Sequence, residues 1–269
     1  MTKHKILVIA LGGTIGSVKK DSIDLDSNNL KILDCCIREN VEFTGVSPFS
    51  ILSENMSIAL WKRLIAFMDK AELDAYDGII LLHGSDTLAF TSAIIANAFP
   101  QNSIVLVAAD KPIEDKSSNG IDNFNMAVDL ILSGAKGVHV AYDKIMKASC
   151  ITGADINDRF VCIEKTQPAL NSRCLKNRNI LIINVYPGID FNHYNYRDAD
   201  AVLISMYHSA TVPDSAKDFS AKLTALGIEN YFVTHKSSAD YETAKDIDNI
   251  LYSTTIENAY ARLLLTESF

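Results

Sequence analysis

Two short polar segments carry the residue types that could build a reactive or ligand-binding site. GGTIG (12–16) follows an apolar run, and its glycines allow a tight turn that presents the hydroxyl of Thr14 beside free backbone N–H groups. HGSDT (83–87) follows a second apolar run and opens a helical pattern, so a carboxylate and two hydroxyls lie near a positive helix N-terminus. Hydroxyls, a carboxylate and backbone donors would therefore be available at this site.

Each segment also has a simpler interpretation. A GGT sequence after a first strand is usually only a turn between strand and helix, and Ser85, Asp86 and Thr87 could be helix caps. A dinucleotide site is disfavoured because the first segment lacks the GxGxxG spacing, and a P-loop is disfavoured because no GK[ST] follows. Neither motif alone identifies the chemistry.

The elements around these segments predict an α/β protein. Apolar strand runs alternate with stretches of helical periodicity. The predicted strands cover 5–11, 78–82, 103–108, 137–142, 179–185 and 201–206, and the predicted helices cover 57–72, 87–99, 122–134, 214–226 and 254–265. Because the strands are continuously apolar and separated by helices, we expect a doubly wound parallel sheet of the flavodoxin-like kind. Ligands bind outside the carboxyl ends of such strands, where both polar segments fall.

A polar, aperiodic stretch divides the chain. Residues 166–178 contain a proline, and the strand and helix pattern restarts directly after them. We therefore predict an N-terminal α/β domain over 1–170, which carries the hydroxyl motifs, and a smaller α/β C-terminal domain over 178–269. Residues 17–30 are polar enough to predict a mobile loop.

Composition and charge exclude several classes of protein. The net charge is −8 and the basic residues are scattered, so we expect no nucleic-acid partner. No apolar run approaches the roughly 20 residues of a membrane span, and the N-terminus lacks a signal-peptide pattern. We therefore expect a cytoplasmic protein without a membrane partner. The five cysteines form no CxxC pair and the histidines no HExxH motif, so we predict neither a metal nor a cofactor.

The two polar segments together resemble the signature segments of the bacterial L-asparaginase/glutaminase family. ALGGTIGS (10–17) and LLHGSDTLAFTSAII (81–95) occur in the family's order. Ser53 resembles the serine that holds the substrate carboxylate, while 111–128 and 185–190 resemble further family segments. The resemblance covers most of the chain, most firmly residues 5–135, and the C-terminal part is shorter than is usual in the family.

The resemblance implies hydrolysis of the side-chain amide of asparagine, or of a related small amide. Thr14 would be the nucleophile that forms an acyl-enzyme and releases ammonia. Ser85 occupies the position of a second threonine, and Asp86 that of the aspartate that binds the substrate's α-amino group. The backbone N–H groups of Gly13 and Ser85 are expected to stabilise the oxyanion. The predicted substrate-binding residues are Gly13, Ser53, Glu54 and Gly84.

The sequence departs from the family at two positions that assist the nucleophile. No tyrosine precedes Tyr76, so the family's loop tyrosine is missing, and the family's lysine position falls on Gly153. Lys144 and Lys147 are nearby but are expected in the preceding strand, and His208 is a candidate substitute base.

Several interpretations of the function therefore stay open. The protein could act on a different amide with a rearranged base, or it could be a slow asparaginase. It could also be a catalytically impaired amino-acid-binding protein or partner subunit that retains the asparaginase pocket. A subunit of a tRNA-dependent amidotransferase ranks last, because no basic face is present. The family's habit of pairing subunits predicts a homodimer or homotetramer.

Overall fold

The computed structural model describes residues 3–19, 23–25 and 29–266. Part of the loop predicted to be mobile, residues 20–22 and 26–28, lies outside the described residues. The strands are β1 (His4–Ala10), β2 (Ser17–Lys19), β3 (Ile23–Leu25), β4 (Val41–Val46), β5 (Gly78–Leu82), β6 (Ser103–Val107), β7 (Gly137–Tyr142), β8 (Lys144–Lys147), β9 (Ile151–Ala154), β10 (Phe160–Cys162), β11 (Ile180–Asn184), β12 (Ala201–Ser205), β13 (Glu229–Val233) and β14 (Ile250–Leu251). The helices are α1 (Ile32–Cys35), α2 (Ile58–Lys70), α3 (Leu88–Ala98), α4 (Gly120–Leu132), α5 (Asp214–Ala225) and α6 (Ile256–Leu265).

The larger sheet has the order β4-β1-β5-β6-β7-β8 and is parallel except for β8. Both of its faces are covered. Along β1, Leu7 and Ile9 pack with α2, α3 and α6, whereas Ile6 and Val8 pack with α4 on the opposite face. Because both faces are buried, the sequences of the central strands are largely continuous apolar runs. The predicted doubly wound α/β fold is confirmed.

The smaller sheet is parallel throughout, in the order β11-β12-β13-β14. Helix α5 covers one face with Phe219 and Leu223, and α6 covers the other with Ala259 and Leu263. In chain order, β9 and β10 come between the two sheets and form an antiparallel hairpin. None of the described helices is long and apolar enough to cross a membrane.

Helix α6 contacts both halves of the protein. Asn258 at its start accepts a hydrogen bond from Asn97 of α3 at 2.9 Å, while other residues of α6 pack on the smaller sheet. The chain over the predicted boundary at 166–178 has no helix or strand and connects the last strand before it, β10, to the first strand of the smaller sheet, β11. Because α6 belongs to both packing units, the division into domains 1–170 and 178–269 stays a proposal.

A buried hydrogen bond joins α2 to α3 behind the larger sheet. The indole N–H of Trp61 donates to the hydroxyl of Thr91 at 2.9 Å, and both side chains are buried. We expect Thr91→Val, which keeps the shape but removes the acceptor, to lower the free energy of unfolding by about 1–3 kcal/mol, since a buried donor is left unsatisfied. Urea denaturation measures this loss. Thr91→Ser is the control and should retain most of the stability; an equal loss in both variants would contradict the assignment.

Candidate active site

Three loops meet at the carboxyl edge of the larger sheet. Strand β1 lies between β4 and β5, so the loops that follow these three strands are neighbours. The strand pairing continues into the loops, because Gly13 N–H donates to the carbonyl of Ile51 at 3.1 Å and Leu11 N–H donates to that of Leu82 at 3.0 Å. The sheet thereby brings Thr14, Ser53 and the segment 83–87 to one place.

The backbones of Gly13 and Gly84 are in direct contact. A Cβ atom at Gly13 would lie 2.3 Å from both Cα and N of Gly84, and Gly13 has a φ of +80°. A Cβ at Gly84 would lie 2.4 Å from Oγ of Ser53. Glycine is therefore required at both positions, and the contact sets the following residues, Thr14 and Ser85, on adjoining turns.

Thr14 begins a short 3₁₀ turn that holds its backbone firmly. The turn is closed by a hydrogen bond from Gly16 N–H to the carbonyl of Gly13 at 3.0 Å, and the buried hydroxyl of Ser17 donates to the same carbonyl at 2.7 Å. The side chain of Thr14 is half-buried, and its hydroxyl has no hydrogen bond to another described residue. The turn thus presents a hydroxyl that no described residue engages in a hydrogen bond.

The N–H of Gly13 is not available as an oxyanion donor. It is committed to the carbonyl of Ile51, so the expectation that it stabilises the oxyanion is wrong for this atom. The N–H of Ser85, in contrast, has no partner among the described residues. Gly13 stays a predicted substrate-binding residue, because its missing side chain allows its backbone to lie close to that of Gly84.

The polar residues before α3 connect to the neighbouring loop rather than to their own helix. Thr87 occupies the N-cap position of α3, yet its side chain makes no capping hydrogen bond and instead donates to the carbonyl of Ser53 at 2.8 Å. The hydroxyl of the buried Ser53 donates to a carboxylate oxygen of Asp86 over 3.4 Å. The helix-cap interpretation therefore does not account for this segment.

The predicted site residues differ in exposure. Asp86 is exposed, Ser85 is half-buried and Gly84 is buried, so the charge of the aspartate faces solvent at the mouth of the site. Glu54 follows Ser53 in a 3₁₀ turn and is also exposed, with no hydrogen bond to another described residue. A binding role for Glu54 stays a prediction.

A buried carboxyl group faces Gly153, which stands at the family's lysine position. The N–H of Gly153 donates to Oε1 of Glu257 at 2.8 Å. Burial raises the pKa of Glu257 above its ordinary value. A Cβ at Gly153 would lie 3.7 Å from Glu257, which is an ordinary contact. A methyl side chain would therefore fit at Gly153 without displacing its neighbours.

The other candidate bases lie on different elements. Lys144 and Lys147 are the end residues of β8, as expected, and both are exposed. His208 lines a cleft of about 700 Å³ at the carboxyl ends of the smaller sheet, together with His235 and Lys236. The predicted site residues do not line this cleft. In the part of the chain that the structure describes, no cluster of three or more His, Cys, Asp or Glu side chains could hold a metal.

His83 is the residue of this region whose surroundings the sequence did not predict. Its side chain is 1% exposed, and Nδ1 lies 2.7 Å from the carbonyl oxygen of Gly84. Burial lowers the pKa of the imidazole to about 4, so the ring is neutral at neutral pH. The only sequence signal was a polar residue that ends a continuously apolar strand run.

The family model described as "Asparaginase, N-terminal" matches residues 5–160. An L-asparaginase of Thermococcus kodakarensis is 30% identical over 151 residues, which are 53% of this chain and 45% of that protein. A subunit of the glutamyl-tRNA(Gln) amidotransferase of Methanosarcina barkeri is 34% identical over 131 residues, 44% of this chain and 30% of that protein. The matches thus span less than half the length of these relatives.

Solved asparaginase structures share the fold over nearly the whole chain. The thermostable L-asparaginase of Thermococcus kodakarensis superposes with a TM-score of 0.76 at 21% identity, covering 97% of this chain and 92% of that one. A probable cytoplasmic L-asparaginase of Campylobacter jejuni gives a TM-score of 0.74 at 19% identity, with 98% and 94% covered. At these identities the structures show the fold alone. Since the family model covers residues 5–160 of 269, more than half of the chain, the protein belongs to the asparaginase family.

Proposed function

We propose that this protein is an amidohydrolase that converts the side-chain amide of asparagine, or of a related small amide, to the carboxylate and ammonia. The observation that carries the proposal is the contact between Gly13 and Gly84, the residues that directly precede Thr14 and Ser85. The Ser53–Asp86 pair adjoins this contact and supplies polar groups for an amino acid. Membership of the asparaginase family supports the same reaction class.

Thr14 is the nucleophile in this proposal. Its Oγ1 bonds to the amide carbon, its proton passes to the departing nitrogen, and the C–N bond breaks to release ammonia. Water then attacks the ester, which restores the Thr14 hydroxyl and leaves a carboxylate. The N–H of Ser85, which has no partner among the described residues, donates to the oxyanion that forms in both steps. The Ser85 hydroxyl orients the attacking group or the water.

Ser53 and Asp86 hold the two ends of the amino acid. The exposed carboxylate of Asp86 pairs with the substrate's α-ammonium group. The separation of 3.4 Å between Ser53 Oγ and Asp86 is long for a hydroxyl donor, so the serine can turn to the α-carboxylate at little cost. Both contacts select an α-amino acid over a simple amide.

Removing the carboxylate of Asp86 tests its proposed contact with the substrate's α-ammonium group. We expect Asp86→Ala to weaken aspartate binding at least about tenfold, because a charge-assisted hydrogen bond contributes about 1.5–3 kcal/mol. Isothermal titration calorimetry measures the affinity, and Asp74→Ala, at another exposed aspartate, is the matched control. Unchanged affinity in Asp86→Ala would show that the α-amino group binds elsewhere.

The reaction itself is tested by ammonia release. The purified chain is incubated with asparagine, glutamine and short peptides that contain them, alongside its Thr14→Ala variant. Release that depends on Thr14 supports the amidohydrolase. If no such amide releases ammonia, the proposal fails.

A second candidate is an amino-acid-binding protein without turnover. It is favoured by Gly153, where the family's lysine is replaced by a residue whose N–H faces a buried carboxyl. This candidate requires measurable binding of aspartate or asparagine in the absence of ammonia release. Rapid release that needs Thr14 excludes it.

A third candidate follows from the names of several relatives, which are subunits of glutamyl-tRNA(Gln) amidotransferases. In this case the chain would supply ammonia to a partner protein. The net charge of −8 argues against direct contact with tRNA. Amidase activity that appears only on addition of such a partner would favour this candidate over a free-standing asparaginase.

A further inference from the structure

A buried histidine lies directly behind the loop that carries Ser85. The backbone N–H of His83 donates to the carbonyl of Val107 at 2.9 Å, so the residue continues the pairing of β5 with β6. Its ring is fully enclosed, and Nδ1 is 2.7 Å from the carbonyl oxygen of the next residue, Gly84. The proposed hydrolysis steps assign no role to this imidazole ring.

The surroundings of the ring define its hydrogen-bonding state. Nδ1 faces an acceptor, whereas Nε2 is buried without a partner among the described residues. The proton therefore resides on Nδ1, which donates to the carbonyl of Gly84. With a pKa of about 4, lowered by burial, the ring stays a neutral single donor at neutral pH.

A hydrogen bond to the Gly84 carbonyl also orients the N–H of Ser85. The two groups belong to one peptide unit, which is planar and trans, so they point in opposite directions. His83 holds the oxygen on the buried side, and the N–H of Ser85 is thereby directed away from the ring. Gly13 packs against Cα and N of Gly84, so the backbone directly before this peptide unit is also held in place.

We propose that His83 is a positioning residue that holds the Gly84–Ser85 peptide unit so that the Ser85 N–H donates to the substrate oxyanion. This inference rests on the proposed amidohydrolase function. A preorganised donor stabilises developing charge without reorganisation during the reaction. An imidazole that only filled space would be replaceable by leucine, because a buried nitrogen without a partner carries a desolvation cost.

Three variants separate positioning from packing. His83→Leu fills the space but removes the donor, whereas His83→Asn places an amide N–H where Nδ1 lies. We expect His83→Leu to lower kcat for ammonia release about ten- to a hundredfold with KM nearly unchanged. His83→Asn should keep most of kcat. If the leucine variant does not fold, His83→Gln, whose amide lies beyond the Nδ1 position, takes its place. Wild-type kcat in the leucine variant, or equal losses in the leucine and asparagine variants, would overturn the inference.

The position of the peptide unit is also measured without turnover. In ¹H–¹⁵N spectra, we expect His83→Leu to shift the Ser85 amide resonance and to lower its ¹⁵N order parameter, because the peptide unit is less firmly held, while His83→Asn stays close to wild type. If the wild-type chain releases no ammonia from any amide, the proposed function fails, and this experiment still decides the role of His83. An unchanged Ser85 amide in His83→Leu overturns the inference.

Discussion

Thr14→Ala is expected to lower ammonia release by several orders of magnitude and to leave the melting temperature nearly unchanged. The substitution removes the group that forms the acyl-enzyme, so the covalent route is lost altogether. Thr14 is half-buried and its hydroxyl makes no hydrogen bond to another described residue. The change in unfolding free energy should therefore stay within about 0.5 kcal/mol. Steady-state kinetics and thermal unfolding measure the two quantities.

Two controls accompany this variant. Thr14→Ser keeps the hydroxyl and should retain part of the activity. Ser17→Ala removes the hydrogen bond to the carbonyl of Gly13 and tests whether the rigidity of the turn matters separately from the nucleophile. If Thr14→Ala keeps most of the activity, the nucleophile lies elsewhere and Ser85 is the next candidate. If it unfolds the protein, Thr14 is a structural turn residue.

The central part of the fold could be predicted because its strands are buried on both faces. Strands β1 from Ile6 onward, β5, and β6 from Ile104 onward are apolar without interruption, and helix α2 before β5 has a clear amphipathic period. These signals depend only on local sequence. The structure places the predicted elements within a few residues of the expected bounds, and the α/β class is confirmed.

Strands β4, β13 and β14 could not be predicted, because their sequences lack such a signal. Strand β4 is half exposed and contains Gly45, and β13 begins with Glu229 and Asn230. Strand β14 has only two residues and is defined by its pairing with β13. Such strands are specified by their neighbours more than by their own composition.

The candidate site was predictable as a set of residues but not as a geometry. The motifs around Thr14 and Ser85 could be paired by resemblance, whereas their contact depends on β1 lying between β4 and β5. The commitment of the Gly13 N–H to Ile51 follows from the same strand order, and it removed one expected oxyanion donor. The hydrogen bond of His83 likewise depends on the path of the chain after β5. Distances between loops depend on the tertiary structure, so they cannot be derived from local residue patterns.

Gly13→Ala is expected to destabilise the protein strongly and to abolish activity. Its Cβ would lie 2.3 Å from backbone atoms of Gly84, which cannot move aside as the end of a side chain could. The φ of +80° adds backbone strain. Strain of this kind costs about 1–3 kcal/mol and steric overlap about as much again, so we expect a loss of roughly 2–6 kcal/mol in unfolding free energy. Urea denaturation measures this loss.

Gly134→Ala provides the matched control for the contact. Gly134 has a φ of +78°, almost the same as Gly13, but a Cβ there would meet no atom within 4 Å. The control therefore contains the strain of a positive φ without the overlap, and it should cost about 1–2 kcal/mol with activity retained. The difference between the two variants reports the contact between the two loops together with the ψ of −178° at Gly13, which adds to the strain of an L residue at positive φ. Equal losses of stability, or an active Gly13→Ala enzyme, would mean that the close approach of Gly13 to Gly84 does not build the site.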